Sequence, residues 1–497
     1  MGPRISAPHG QGHPRRWRVL GAVSGALSLV VIDNTVLSVA LPSLATDLGA
    51  TIAQQQAVVD AYVIVFAGLL IAAGTAADRW GRRRVLLCGL ALLAVAATAA
   101  AAAWSVWWLV AMRALMGAGA AMVMPSTLAV LVGVFPEHER PRAFAVWGAV
   151  AAAALAAGPV LGGALVQAWS WPAVFAMNAP VALCAGLAVA RVVPESRDPR
   201  RRPLDTVGAA LTTSAMVGTV SAVIAAGERG PFTPAALAGA VLALASVTVL
   251  LRRHRAGRAA VADFVLYRNR RFAAGSAAAA LLTFGTGSVL FVLTQYLQLG
   301  QGLDAARAGL AVLPLAAGTV MGSAAGGRAP AVIGSRACIV AGFTVAAAGL
   351  GVLALLEPES HYLTVAAGLG LAGVGTGFSS PATTSMVLGA VPAGRAATGS
   401  AMHDTHQQLG IALGVAVLGA VLGTAYRAAL PEGVPRPAAS SLAATLDHAA
   451  ITGDAALADA ARAAFAHAQS VSLAMSAVFA LLGAAVAAAL LRDPDPR

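Results

Sequence analysis

Long apolar stretches, broken by short polar turns, set the pattern of this chain. Fourteen of them approach or exceed the roughly 20 residues that cross a bilayer as helix, at about 19–44, 54–76, 85–104, 108–133, 143–166, 173–193, 206–226, 234–251, 273–296, 308–326, 337–356, 362–390, 404–426 and 469–491. The first is longer than a signal peptide's apolar core, and no clear small-residue cleavage site follows, so a retained helix is expected. The pattern predicts an all-α polytopic membrane protein with fourteen transmembrane helices. Asp33, inside "SLVVIDNTVLSVALP" (28–42), is a carboxylate in the first such stretch with no evident partner nearby in sequence.

Composition agrees: 58% of residues are hydrophobic and 11% charged, against about 25% charged in soluble domains. The net charge of +12 suggests nucleic acid until the basic residues are placed. All 33 are arginine. Arg113 falls inside a span. Arg229, Arg307, Arg427, Arg436 and Arg462 fall on one side when both termini lie on the other, which holds the remaining 27. That asymmetry predicts cytoplasmic termini and a multi-pass protein of the cytoplasmic membrane. The arginines form a collar facing lipid, so no nucleic-acid partner is expected. The segment 427–468 lies outside, and "ALADAARAAFAHA" (456–468) is expected as a short amphipathic cap on the outer mouth. Cys88, Cys184 and Cys338 are scattered in apolar segments and form no disulfide framework or metal motif.

The chain also repeats. "GAGAAMVMP" (117–125) matches "GVGTGFSSP" (373–381), and the same offset maps Pro136 onto Pro392 and Gly158 onto Gly414. A looser match carries Gly74 and Gly81 onto Gly327 and Gly334. Two six-helix halves follow, 1–193 and 272–497, with two inserted helices in 194–271. Duplicated halves are a transporter architecture with the substrate site near the midplane. The repeat fails where the chemistry is: Arg113 falls on Leu369 and Asp78 on Ala331.

Three motifs carry that chemistry. "GTAADRWGRRR" (74–84) is a short turn in which Gly81 permits the reversal and Asp78 can pair with an arginine or a helix N-terminus. In "LVAMRALMGAGAA" (109–121), Arg113 is an intramembrane arginine, expensive and so a functional candidate. In "LAAGPVLGGAL" (155–165), Pro159 removes a helical hydrogen bond, while Gly158, Gly162 and Gly163 give a bare face for close helix packing.

The first motif resembles the "G-x-x-x-D-R-x-G-R-R" signature of the major facilitator superfamily. The second resembles its helix-4 motif, and the third its antiporter motif, with Ala154 where a glycine is usual. "DNTVLSVALP" (33–42), "VVDAYVIVFAGLLIAAG" (58–74), "WSWPAVFAMNAP" (169–180) and "THQQLGIALGVAVLG" (405–419) resemble the fourteen-helix drug/proton antiporter subfamily. Ser38, Ala57, Ser170 and Gln407 depart from its usual residues. The resemblance implies the major facilitator fold, two pseudo-symmetric six-helix bundles plus two inserted helices. It also implies proton-coupled antiport of a lipophilic drug or antibiotic by alternating access.

On this reading Asp33 carries the proton, Arg113 tunes it, and Asp60 is an auxiliary proton or substrate contact. Gly74, Asp78, Arg79, Gly81, Arg82 and Arg83 form an inner-gate motif; Gly158, Pro159, Gly162 and Gly163 form the antiporter motif. His403 and His406, flanking Asp404 near an inner helix end, are read as solvated or gating groups, not a metal site. Since helices 9–14 show no acidic residue in their interiors, a neutral, zwitterionic or monocationic amphiphile is expected. No cofactor, ATP site or catalytic group is expected; the proton gradient supplies the energy. The alternatives are proton-coupled export of a metabolite such as a siderophore or amino acid and, behind it, a non-transporting membrane receptor.

Overall fold

The computed structural model describes residues 13–197, 204–257, 264–391 and 396–491. Arg4, Arg200, Arg201, Arg202, Arg258, Arg395, Arg492, Arg497 and Pro392, used above, lie outside them. The described residues hold fourteen helices long and apolar enough to span a membrane. They are α1 (Arg16–Leu48), α2 (Ile52–Trp80), α3 (Arg82–Ala101), α4 (Val106–Val134), α5 (Arg142–Ala168), α6 (Pro172–Val192), α7 (Thr206–Arg229), α8 (Pro234–Arg255), α9 (Arg270–Gly300), α10 (Ala305–Gly326), α11 (Ser335–Ala354), α12 (Tyr362–Gly389), α13 (Gly399–Ala429) and α14 (Ala455–Leu490). Apolar side chains such as Val241 and Leu244 of α8 stand on the surface, as lipid-facing positions do.

Their packing repeats with a shift of eight helices. In the first half α1 packs on α4, α5 and α6, and α4 on α2 and α3; in the second, α9 packs on α12, α13 and α14, and α12 on α10 and α11. The halves meet reciprocally, α2 against α13 and α5 against α10. Inserted α7 fills the groove between α2 and α13, and α8 packs on α7. This is the two-bundle fold with an inserted pair.

The sharp turn between α2 and α3 has a counterpart in the second half. Gly81 (φ +117°) and Gly334 (φ +82°) both adopt a backbone that L side chains rarely reach. Elsewhere glycine permits close contact: a Cβ on Gly377 of α12 would lie 2.1 Å from the Thr319 carbonyl oxygen of α10.

Hydrogen bonds across the halves concentrate at the end opposite the Gly81 turn. Thr294 donates to the Ser38 carbonyl at 2.7 Å and Gln298 to the Val39 carbonyl at 2.9 Å. Gln56 donates to the Val415 and Ala416 carbonyls at 2.8 and 2.9 Å. At the arginine-rich end Arg16 pairs with Glu139 at 2.6 Å, tying α1 to the α4–α5 turn. The Arg16 hydrogen bond holds the Glu139 carboxyl below its ordinary range. The stabilisation is therefore present at neutral pH and is lost as pH falls through that lowered value.

One expected element changes. Residues 456–468 are not a separate cap; they are continuous with α14, whose first turn is capped by Asp454 accepting from the Leu457 amide. No proline or glycine occurs from 455 to 482. The separate loop helix is Leu442–Thr452.

Gly377→Ala should overpack the α10–α12 contact and cost about 1–3 kcal/mol. Gly370→Ala, with no atom within 4 Å of the new methyl, should be neutral or stabilise the helix by up to about 1 kcal/mol. Thermal unfolding of the two variants in detergent distinguishes these outcomes.

Candidate functional site

Asp33 lies mid-way along α1, Arg113 in the first half of α4, and Asn178 just past the joint that divides α6 into two helical pieces. Because α1 packs on both α4 and α6, the three side chains converge inside the first half. Arg113 Nη1 donates to Asp33 Oδ2 at 2.8 Å, and Asn178 Nδ2 donates to Asp33 Oδ1 at 2.5 Å. Arg113 Nε reaches the Val58 carbonyl at 3.4 Å, and its guanidinium carbon lies 4.3 Å from the centroid of the Tyr62 ring. All four side chains belong to residues no more than 1% exposed.

Desolvating two ions costs several kcal/mol each, and only close geometry with further hydrogen bonds offsets it. Asp33 has both: each oxygen accepts one donor, and the cation opposite rests on an aromatic face. Satisfaction stops short of complete, for Arg113 Nη2 and Asn178 Oδ1 have no hydrogen-bond partner. The network thus keeps one spare donor and one spare acceptor.

Asp60 stands apart. It is 1% exposed on α2, and neither carboxyl oxygen has a hydrogen-bond partner. Of the three expected coupling residues, the structure joins Asp33 to Arg113 and leaves Asp60 unpartnered.

The glycine face of α5 abuts this network. A Cβ on Gly158 would lie 1.9 Å from Thr35 Oγ1, and one on Gly162 would lie 2.7 Å from the Val36 carbonyl. Both press α5 onto the α1 segment just past Asp33. Gly163 turns the other way, where a Cβ would lie 2.3 Å from the Ala305 carbonyl of α10, and the Pro159 carbonyl fits against Gly309. The motif thus packs one helix onto both the ion-pair helix and the opposite half.

In the helix 2–3 turn, Asp78 accepts from Arg82 at 2.9 and 3.1 Å, and Arg82 Nη1 donates to the Ala129 carbonyl of α4 at 3.0 Å. The Arg83 amide donates to Glu195 at 3.2 Å, and its guanidinium to the Ala190 carbonyl. Gly81 leaves room for Glu195 Oε1, which would lie 2.5 Å from a Cβ. A Cβ on Gly74 would sit at ordinary contact distance from Pro125, and Arg79 lines a surface hollow with Trp80, Arg84 and Arg197. Among the described residues these bonds join the first half to itself and to the start of the connecting segment, and none reaches the second half.

The His403 trio is less solvated than expected. Helix α13 begins earlier than the apolar pattern suggests, at Gly399, so Asp404 lies inside a span. His403 is 2% exposed, with Nε2 bonded to Thr384 and Gln407 and Nδ1 unpartnered. His406 bonds Tyr267, whose phenol burial pushes up to about 12. Polar residues on successive turns mask a helix start that backbone continuity makes plain. The second half therefore does carry an acidic residue within a span.

Sequence reasoning missed two members of the network. Asn178 and Tyr62 both lie in stretches singled out above. Asn178 is a polar residue in an apolar helix beside a joint, and that was the available signal; Tyr62 offered none beyond its place two residues from Asp60.

Residues 23–415 match the family model described as Major Facilitator Superfamily. The chain belongs to that superfamily. Within it, the chain is 34% identical to the multidrug efflux pump LfrA of Mycolicibacterium smegmatis, covering 83% of this chain and 82% of the relative. It is 33% identical to the tetracenomycin C resistance and export protein of Streptomyces glaucescens, covering 81% and 75%. Its fold resembles that of a solved bacterial homologue of the human lysosomal transporter Spinster, at a TM-score of 0.71 and 17% identity, over 96% of this chain and 97% of the other. Superfamily membership places the protein among transporters.

Removing Arg113 alone should destabilise by about 3–5 kcal/mol, because Asp33 stays buried without its cation. In a cycle of Arg113→Gln, Asp33→Asn and the double variant, unfolding in detergent should return a coupling energy above about 1.5 kcal/mol. Additive losses would refute the pairing.

Proposed function

We propose that the protein is a secondary active exporter that exchanges protons for a lipophilic drug or antibiotic across the cytoplasmic membrane by alternating access, with both termini cytoplasmic. The relatives' names as efflux, export and resistance proteins support the direction and the kind of cargo. The observation that carries proton coupling is the dry, incompletely satisfied network at Asp33. A proton on Asp33 removes the charge that holds Arg113, so the guanidinium is free to turn its unpartnered Nη2 elsewhere. Asn178 then loses its strong acceptor, and α4 and α6 loosen from α1. Because Gly158 and Gly162 press α5 onto the same helix, and Gly163 presses α5 onto α10, the change reaches the contact between halves.

Asp33 is the principal proton carrier, Arg113 its tuning partner and Asp60 an auxiliary group. Asp60 lacks any donor, so a proton or a cationic part of the cargo is the partner its buried position calls for. Asp404 within α13 offers the second half a carboxylate, which narrows the expected cargo from neutral or zwitterionic amphiphiles toward monocations. The cross-half bonds through Thr294, Gln298 and Gln56 lie at the end the arginine asymmetry assigns to the outside. They support a state sealed outward. No ATP is required on this reading; the proton gradient drives the cycle.

In proteoliposomes, adding a transported compound should release protons, and an imposed pH gradient should drive its movement. Asp33→Asn should abolish both while the protein folds and inserts normally. Full gradient-driven transport by Asp33→Asn would sink the assignment of the carrier, and absence of any proton flux from the parent protein would sink antiport itself.

A further inference from the structure

At the end of the bundle opposite the Gly81 turn, a cavity of about 680 Å³ lies where both halves and inserted α7 meet. Its walls include the first turn of α2, the C-terminal turns of α7 and α13, and the loop residue Arg436. Three of the five arginines assigned to this face converge there: Arg229, Arg427 and Arg436.

The five are not equivalent. Arg307 and Arg462 are paired with aspartates on their own helices, Asp304 at 3.3 Å and Asp459 at 3.0 Å. In the cavity, among the described residues, a single carboxylate serves the arginines: Glu228, 3.6 Å from its neighbour Arg229 and also acting on Arg427. Arg427 donates to the Gly227 carbonyl at 2.7 Å, a neutral acceptor that fixes the side chain without cancelling its charge. Arg436 has neither ion pair nor hydrogen-bond partner among the described residues. Three guanidiniums against one carboxylate leave the cavity about two charges positive.

The walls add donors. Thr51 caps α2 by accepting from the Gln54 amide, which leaves the amides of Ile52 and Ala53, both lining the cavity, at a positive helix end. Guanidinium forks and helix amides favour the same ligand, a tetrahedral oxyanion. The depth is also informative. Arg229 and Arg427 occupy the last turns of membrane-spanning helices, the level of lipid headgroups.

We propose that this cavity is a phosphate-binding site, held by Arg427 and Arg436 with Arg229 at its edge. The phosphate comes either from an anionic phospholipid headgroup or from free inorganic phosphate. Since Ile52, Arg229 and Arg427 belong to the first half, the insertion and the second half, an occupant bridges all three. The proposal is independent of the proton-coupling reading.

The test uses the full-length protein in detergent, titrated separately with phosphatidylglycerol, phosphatidylcholine and inorganic phosphate. Thermal stability and lipid retained in native mass spectrometry are the readouts. Phosphatidylglycerol should stabilise the protein more than phosphatidylcholine. Arg436→Gln, which disturbs no bond in the structure, should weaken that effect about tenfold, the value of one charge-assisted hydrogen bond. Arg427→Gln should weaken it further, and Arg462→Gln should leave it unchanged. Stabilisation by phosphatidylglycerol alone identifies a headgroup as the source. Equal stabilisation by inorganic phosphate, sensitive to Arg436→Gln, identifies the free ion. No stabilisation by either ligand, or equal losses in Arg436→Gln and Arg462→Gln, overturns the site.

Discussion

A charge taken out of water must meet its opposite in the same dry place, and the first half of this protein is organised around that requirement. Arg113 enters on α4, Asp33 on α1, Asn178 on α6 and Tyr62 on α2. None of the four helices can move far from the others without exposing an uncompensated ion to an apolar interior. The ion pair therefore acts as a constraint on helix placement as much as a source of stability. Replacing such a pair by apolar residues is often neutral or favourable for stability, so stability alone does not account for its presence in a dry core.

The glycines make that constraint matter beyond the first half. On α5 they are arranged on two sides of the helix, Gly158 and Gly162 toward α1 and Gly163 toward α10. Packing backbone to backbone leaves no soft side chain to absorb a shift, since contacts at this distance have little slack. On the proposed reading, a displacement of α1 that follows the loss of the Asp33 charge passes to α5 and then across the interface. Pro159, between Gly158 and Gly162 in sequence, presents its carbonyl to Gly309 of α10.

Much of this was legible in the sequence. Hydropathy is a one-dimensional signal, and it located all fourteen spans; the internal repeat set the inserted pair apart. The repeat was visible because turns and small residues must recur where backbone geometry recurs; Gly81 and Gly334 share a turn conformation for that reason. The Asp33–Arg113 contact was expected because the fold that the motifs resemble packs helix 1 beside helix 4. Asn178 was not, because a single asparagine beside a helix joint has the same sequence signature whether it caps, packs or binds an ion. Residues 456–468 were misassigned because an amphipathic segment reads alike as a free cap and as the protruding end of a longer helix. Asp404 was placed in solvent because polarity on neighbouring turns hides a helix start.

The two halves share their packing and differ in their chemistry. At the repeat position of Arg113 the second half has Leu369, which is fully buried. Leu369 occupies the same kind of dry interior at no electrostatic cost, so the fold itself does not require an ion pair there. The same helical framework therefore stands once with a buried arginine–aspartate pair at this position and once with a leucine. That comparison, internal to one chain, separates what the architecture needs from what was added to it. The added part is the Asp33 network and the unpartnered Asp60, and both lie in the half whose helix α5 carries the glycines that reach across to the other.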